Sequence, residues 1–154
     1  MWGQRIRSAG MVGALALTLV GCGTETTAPQ PTNGSITAQI DGGSFSATTV
    51  AATYTNGIMG LGGTDSQGRG IGIGGQVPGP GTYTVGVTGT ANFSVTIGSA
   101  VWQAAITLGS GTLTVTSISA AGAKGTFQFT AGPVPNSTAT GNKVVTAGTF
   151  DVKF

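Results

Sequence analysis

The segment Phe93-Ser94-Val95-Thr96-Ile97 decides the fold class. Large apolar side chains stand at every second position, with small hydroxyl residues between them. A helix would scatter these three apolar residues around its cylinder, whereas a strand places all of them on one face. The same alternation recurs along the chain. Ile36, Ala38 and Ile40 alternate with Thr37 and Gln39, and Leu113 and Val115 sit between threonines. Phe127 and Phe129 flank Gln128, while Phe150, Val152 and Phe154 flank Asp151 and Lys153. Valine, isoleucine, threonine and aromatic residues suit a pleated, half-buried surface.

Turn signals separate these runs: Asp41-Gly42, Asn56-Gly57, Asp65-Ser66-Gln67-Gly68, Pro78-Gly79-Pro80-Gly81 and Gly132-Pro133-Val134-Pro135. Asn-Gly and Asp-Gly tolerate positive φ and match the twist of two-residue hairpins. The pattern predicts about nine or ten strands, near residues 35–40, 45–55, 58–63, 69–77, 82–88, 91–97, 101–108, 111–118, 123–131 and 143–154. No helical period of useful length follows residue 21. Sheets without helices must cover one another, so the expectation is an all-β, antiparallel β-sandwich, with a closed β-barrel as the alternative. Its expected core contains Ile36, Ile40, Phe45, Val85, Phe93, Val95, Leu113, Val115, Phe127, Phe129, Phe150 and Val152.

The composition narrows function further. Glycine supplies 29 of 154 residues and threonine 26, while charged residues are only 6% against roughly 25% in an ordinary soluble protein. The chain has no histidine and one cysteine, which removes imidazole-based triads, histidine zinc sites and an intrachain disulfide framework. The formal charge of +2 belongs to Arg5 and Arg7. From Cys22 onward Arg69, Lys124, Lys143 and Lys153 balance Glu25, Asp41, Asp65 and Asp151. A basic patch for nucleic-acid phosphates has no material to be built from, so no nucleic-acid partner is expected.

Arg5 and Arg7 precede the apolar run Met11-Val-Gly-Ala-Leu-Ala-Leu-Thr-Leu-Val20, in the order of a secretory signal. Ten residues are about half of the roughly 20 that cross a bilayer as a helix. The run ends in Leu19-Val20-Gly21-Cys22, which resembles the lipobox of bacterial lipoproteins. The resemblance implies a signal peptide over residues 1–21, cleavage before Cys22 and acylation of that cysteine. Two or three acyl chains anchor a protein stably where one does not. Gly23 stands where some inner-membrane lipoproteins carry aspartate, so the expected location is the outer membrane, facing the periplasm or the cell surface. Residues 22–34 continue as a polar, proline-bearing tether, and residues 35–154 form the globular domain.

The globular part also resembles small bacterial lipoproteins built on a domain of unknown function. The likeness rests on Ile40-Asp41-Gly42 with Phe45, on Gly81-Thr82-Tyr83, on Gly125-Thr126-Phe127 and on Val145-Thr146-Ala147-Gly148-Thr149-Phe150. It implies an all-β fold and carries over no catalytic residue. This chain departs from the pattern in being richer in glycine and poorer in charge. The closing Phe154 is also seen in some outer-membrane barrel strands, but such barrels need strands of about 9–11 residues and aromatic girdles. Most runs here are shorter, which favours a water-soluble sheet.

Few residues suggest chemistry. Gly70-Ile-Gly-Ile-Gly-Gly75 matches a dinucleotide-binding loop on paper, yet Gln76-Val77-Pro78 follows where a helix is required. Those glycines are expected to form a strand face lying under a bulky neighbour. A second short motif, Gly-Thr followed by apolar–any–apolar, begins at Gly81, Gly111, Gly125 and Gly148. There glycine is expected to close a turn or bulge before a strand. The acids are too few and too scattered to predict the facing carboxylate pair of a glycosidase or the oxygen cage of calcium. Neither catalysis, nor a cofactor, nor a metal is expected. Trp102 and Tyr54 are the candidate ligand-binding aromatics of an alternative carbohydrate- or peptide-binding role. The leading expectation is a non-enzymatic, membrane-anchored envelope domain with a structural or interaction role.

Overall fold

The computed structural model describes residues 33–86 and 90–154. Eleven strands follow in chain order: β1 (Gly34–Ile40), β2 (Gly43–Ser46), β3 (Thr49–Thr55), β4 (Ile58–Thr64), β5 (Arg69–Gln76), β6 (Gly81–Thr84), β7 (Ala91–Ile97), β8 (Ala100–Ala104), β9 (Gly109–Ser119), β10 (Gly122–Pro133) and β11 (Lys143–Lys153). The described residues contain no helix. Every pairing is antiparallel.

The strands form two layers. Sheet I runs β6-β9-β10-β11-β1-β2, and sheet II runs β3-β4-β5-β7-β8. Strand β10 joins them. Over residues 122–131 it lies between β9 and β11, and then Gly132 and Pro133 pair with Gln103 and Trp102 of β8. The path does not close into a barrel, so the architecture is a β-sandwich. The layers meet through aromatic side chains. Phe93 of sheet II stacks on Phe129 of sheet I at 4.6 Å between centroids, and Phe127 lies 6.3 Å from Phe129.

Asp41-Gly42 and Asn56-Gly57 form two-residue hairpin turns with φ of 49° and 81°, and of 52° and 77°. These turns fix the register of β1 on β2 and of β3 on β4. Eleven of the twelve expected core residues are buried. Val85 is only partly buried against the core. It lies just past the end of β6, where a single backbone bond from Val85 N to Gly111 O prolongs the pairing.

The expected strand at 45–55 is two strands. The chain turns at Ala47-Thr48, and β2 joins sheet I while β3 joins sheet II. Ala47 N donates to Ile36 O in one layer and Thr48 N to Thr64 O in the other. The expected strand at 101–108 ends at Ala104, because Leu108 N turns back to Ala105 O. Residues 87 and 88 of the expected strand at 82–88 lie outside the described residues.

The Gly-Thr motif adjoins a turn or bulge at three of its four sites, since Gly81 opens β6 after the Pro78-Gly79-Pro80 turn and Gly125 and Gly148 sit at register shifts. It has a second cause that spacing does not show. Gly111, Gly125 and Gly148 lie within strands, under aromatic rings. A Cβ at Gly111 would come within 2.8 Å of the Phe93 ring, at Gly125 within 2.6 Å of Phe150, and at Gly148 within 2.5 Å of Phe127. Glycine supplies the space that these rings fill.

Candidate functional site

Cys22, the expected lipidation residue, lies outside the described residues. The two candidate binding aromatics are brought into the fold rather than onto a free face. Trp102 on β8 is only 6% exposed. Its Nε1 donates to Gly141 O at 3.0 Å, and Lys143 Nζ lies 5.0 Å from the ring centroid. An indole N–H needs an acceptor when buried, and here it finds one by lying beneath the segment that links β10 to β11. Trp102 is therefore a clamp in the core and not an exposed aromatic. Tyr54 is half-buried. It stacks on Phe154 at 5.3 Å and donates its hydroxyl to Val77 O at 3.2 Å.

The charged side chains are absorbed locally. Asp41 Oδ2 accepts from Lys143 Nζ at 2.7 Å and Oδ1 from Val144 N at 2.9 Å. The Lys143 ammonium and then the Val144 amide hold the Asp41 carboxyl below its ordinary value. Asp65 is buried, and burial alone would push its carboxyl up. The Arg69 backbone and guanidinium, with Gln67 N, outweigh that and leave it below the ordinary value. Asp151 pairs with Lys124 at 2.8 Å. Each acid among the described residues thus holds a different cation. No group of three metal-binding side chains occurs among the described residues.

The Gly70–Gly75 segment lies in β5, with Gly70, Gly72 and Gly74 alternating with the buried Ile71 and Ile73 and so facing away from the core. What lies over Gly72 and Gly74 is Ser94 Oγ and Asn92 Oδ1. These are small polar groups, which corrects the expectation of a bulky cover.

The outer face of sheet I carries polar side chains in regular rows. Register brings Thr82, Thr114, Thr126, Thr149, Thr37 and Ser46 into one row across six strands. A second row contains Thr84, Thr112 and Gln128. Neighbouring strands lie about 4.8 Å apart, and positions on the same face of one strand recur roughly every 6.7 Å. Thr37 and Thr149 share a hydrogen bond of 2.8 Å, and Thr82 and Thr114 one of 3.4 Å.

Two adjoining open depressions of about 480 and 400 Å³ lie over β9, β10 and β11 and share Thr112 and Gln128. A bulge in β11 shapes them, because two residues, Thr146 and Ala147, are set opposite Gln128. Ala147 has φ of 50°, a left-handed conformation that costs a non-glycine residue energy. Bulges re-aim side chains and occur beside functional surfaces.

Sequence reasoning missed this face. Its signal was present in Thr82-x-Thr84, Thr112-x-Thr114 and Thr126-x-Gln128-x-Thr130, but only the strand order aligns these segments into rows.

A helix-free sandwich of antiparallel strands with uncharged outer rows places the chain among all-β domains. More narrowly, the chain belongs to the family described as a domain of unknown function, DUF6252, whose model matches residues 32–151. No curated protein and no solved structure matches it.

Proposed function

We propose that the protein is a lipid-anchored, non-enzymatic module of the bacterial cell envelope. Cys22 carries the acyl chains, residues 23–32 form the tether, and the sandwich presents the outer face of sheet I to a partner. The observation that carries the reading is Leu19-Val20-Gly21-Cys22 closing a ten-residue apolar run. Ten tether residues reach at most about 35 Å when extended, so the domain stands close to the membrane that holds it. Gly23 after the cysteine favours the outer membrane over the inner one.

A non-catalytic role is supported by chemistry as well. Histidine is absent, and each described carboxylate sits in its own ion pair instead of facing another across a cleft. Replacing Cys22 by alanine in the full chain should move the protein from the membrane fraction to the soluble fraction, or block its maturation. Equal membrane retention of the alanine variant would contradict the anchor.

A further inference from the structure

We propose that the outer face of sheet I binds the flank of a neutral polysaccharide chain. The inference rests on the reading of the domain as a presenting module and names the ligand class of that face. Its first ground is the kind of group displayed. A threonine hydroxyl both donates and accepts, and a glutamine amide does the same through two atoms. A partner that matches such a surface must itself donate and accept at short intervals, as a chain of sugar hydroxyls does. Among the described residues, the side chains of Thr112, Thr126 and Gln128 make no hydrogen bond to protein, whereas the flanking pairs Thr37–Thr149 and Thr82–Thr114 bond to each other. Thr112, Thr126 and Gln128, at the middle of the face, thus have hydrogen-bonding groups to offer a ligand.

The second ground is charge. The two rows hold no ionised side chain, and the nearest pair along β10 and β11, Lys124–Asp151, neutralises itself. Anionic headgroups, nucleic acids and acidic glycans find no cation there to draw them. The third ground is the shortage of anchors that a protein partner would need. Protein interfaces draw most of their energy from buried aromatic and arginine side chains, and neither row contains one. At the centre of the face, β9, β10, β11 and β1 have hydrogen-bonded neighbours on both sides, so the open edges of this sheet lie at β6 and β2, away from Thr126 and Gln128.

The absence of an exposed aromatic ring on these rows sets the mode of binding. Without stacking, each sugar contributes only one or two hydrogen bonds of small net worth. Useful affinity then comes from repetition along a chain laid over the two joined depressions, in the manner of multivalent contacts. The strained Ala147 bulge supports this geometry, since it opens the sheet opposite Gln128 in the middle of that path.

The test uses the full lipidated chain in a polyoxyethylene detergent, which contains no sugar. It is mixed with beads carrying xylan, galactomannan, mixed-linkage β-glucan or dextran, and with polygalacturonate beads as the acidic comparison. At least one neutral polymer should deplete the protein, with little change between low and high salt. Long oligosaccharides of that polymer should compete, and its monosaccharide should not. T112V with T126V, which keeps β-branched shape at both positions, should weaken retention by about tenfold or more, as should Gln128→Leu alone. Thr53→Val on the opposite outer face should bind like the parent, and unchanged melting of each variant shows that it is folded. Retention by no neutral polymer, retention by polygalacturonate alone, or equal retention of the folded double variant would overturn the inference. Loss of the membrane anchor leaves bead retention unchanged, so failure of the anchor and failure of the glycan face read out separately.

Discussion

The two outer faces of the sandwich differ in where they put glycine. In sheet I Gly111, Gly125 and Gly148 make room for rings, and threonines occupy many of the outward positions. In sheet II, β4 and β5 turn Gly60, Gly62, Gly70, Gly72 and Gly74 outward, while Met59, Leu61, Ile71 and Ile73 fill the core. One residue type therefore has two physical roles in one small domain. Under a ring it is required by space. On the outer face of β4 and β5 it gives up strand propensity, since glycine loses more conformational freedom on folding than any other residue. At Gly62 a Cβ would meet nothing within 4 Å.

The largest effect expected from this contrast comes from removing what the ring-bearing sheet is built on. Strand β11 is central in sheet I, between β10 and β1, and carries Phe150 and Val152 into the core. Deleting residues 149–154 should leave the domain unfolded or insoluble, because its total stability is typically only about 5–15 kcal/mol. Unchanged melting of the truncated chain would show that the strand is dispensable. Next in size is Gly111→Ala, where the new methyl collides with Phe93 and with Phe129 Cβ. Overpacking of this kind costs about 1–3 kcal/mol, measurable by denaturant titration. The counterpart, Gly62→Ala, should be neutral or should stabilise by up to about 1 kcal/mol. Equal destabilisation by both substitutions would erase the contrast between the sheets.

Much of this fold was legible from residue order. Alternation located the strands, Asp41-Gly42 and Asn56-Gly57 set two hairpins, and the apolar positions at period two named nearly the whole core. The corner at Ala47-Thr48 also left a trace, since buried Phe45 and Val50 have opposite parity and cannot share one face of one strand. Other features depend on tertiary placement. That Trp102 would lie under the Thr140-Gly141 segment follows from β10 crossing between layers, which no local pattern announces. The hydroxyl rows need β6, β9, β10, β11, β1 and β2 set side by side in register, and that order is not the order of the chain. The glycines under rings required knowing which phenylalanine crosses which strand.

The smallest expected effect separates the charged turns from the uncharged faces. Asp41 and Asp65 both titrate below their ordinary value in the folded state. The unfolded chain then binds protons more readily near pH 4, so these groups contribute stability that is present above about pH 4 and is lost as pH falls through their folded values. Melting should stay level from neutral pH to about pH 5 and decline below about pH 4. Asp65→Asn should flatten that decline, and a decline beginning near neutral pH would contradict the assignment to these two carboxylates.

The anchor at Cys22 is the claim on which the envelope role stands, and intact mass tests it most directly. The full-length protein is produced in a bacterial host, extracted from membranes with detergent and weighed whole. The expected mass is that of residues 22–154 plus a diacylglyceryl group on Cys22 Sγ and an acyl chain on its new amino group, or the diacylglyceryl group alone in a host that does not acylate the amine. A mature chain with an unmodified Cys22, or a mass retaining residues 1–21, would contradict it.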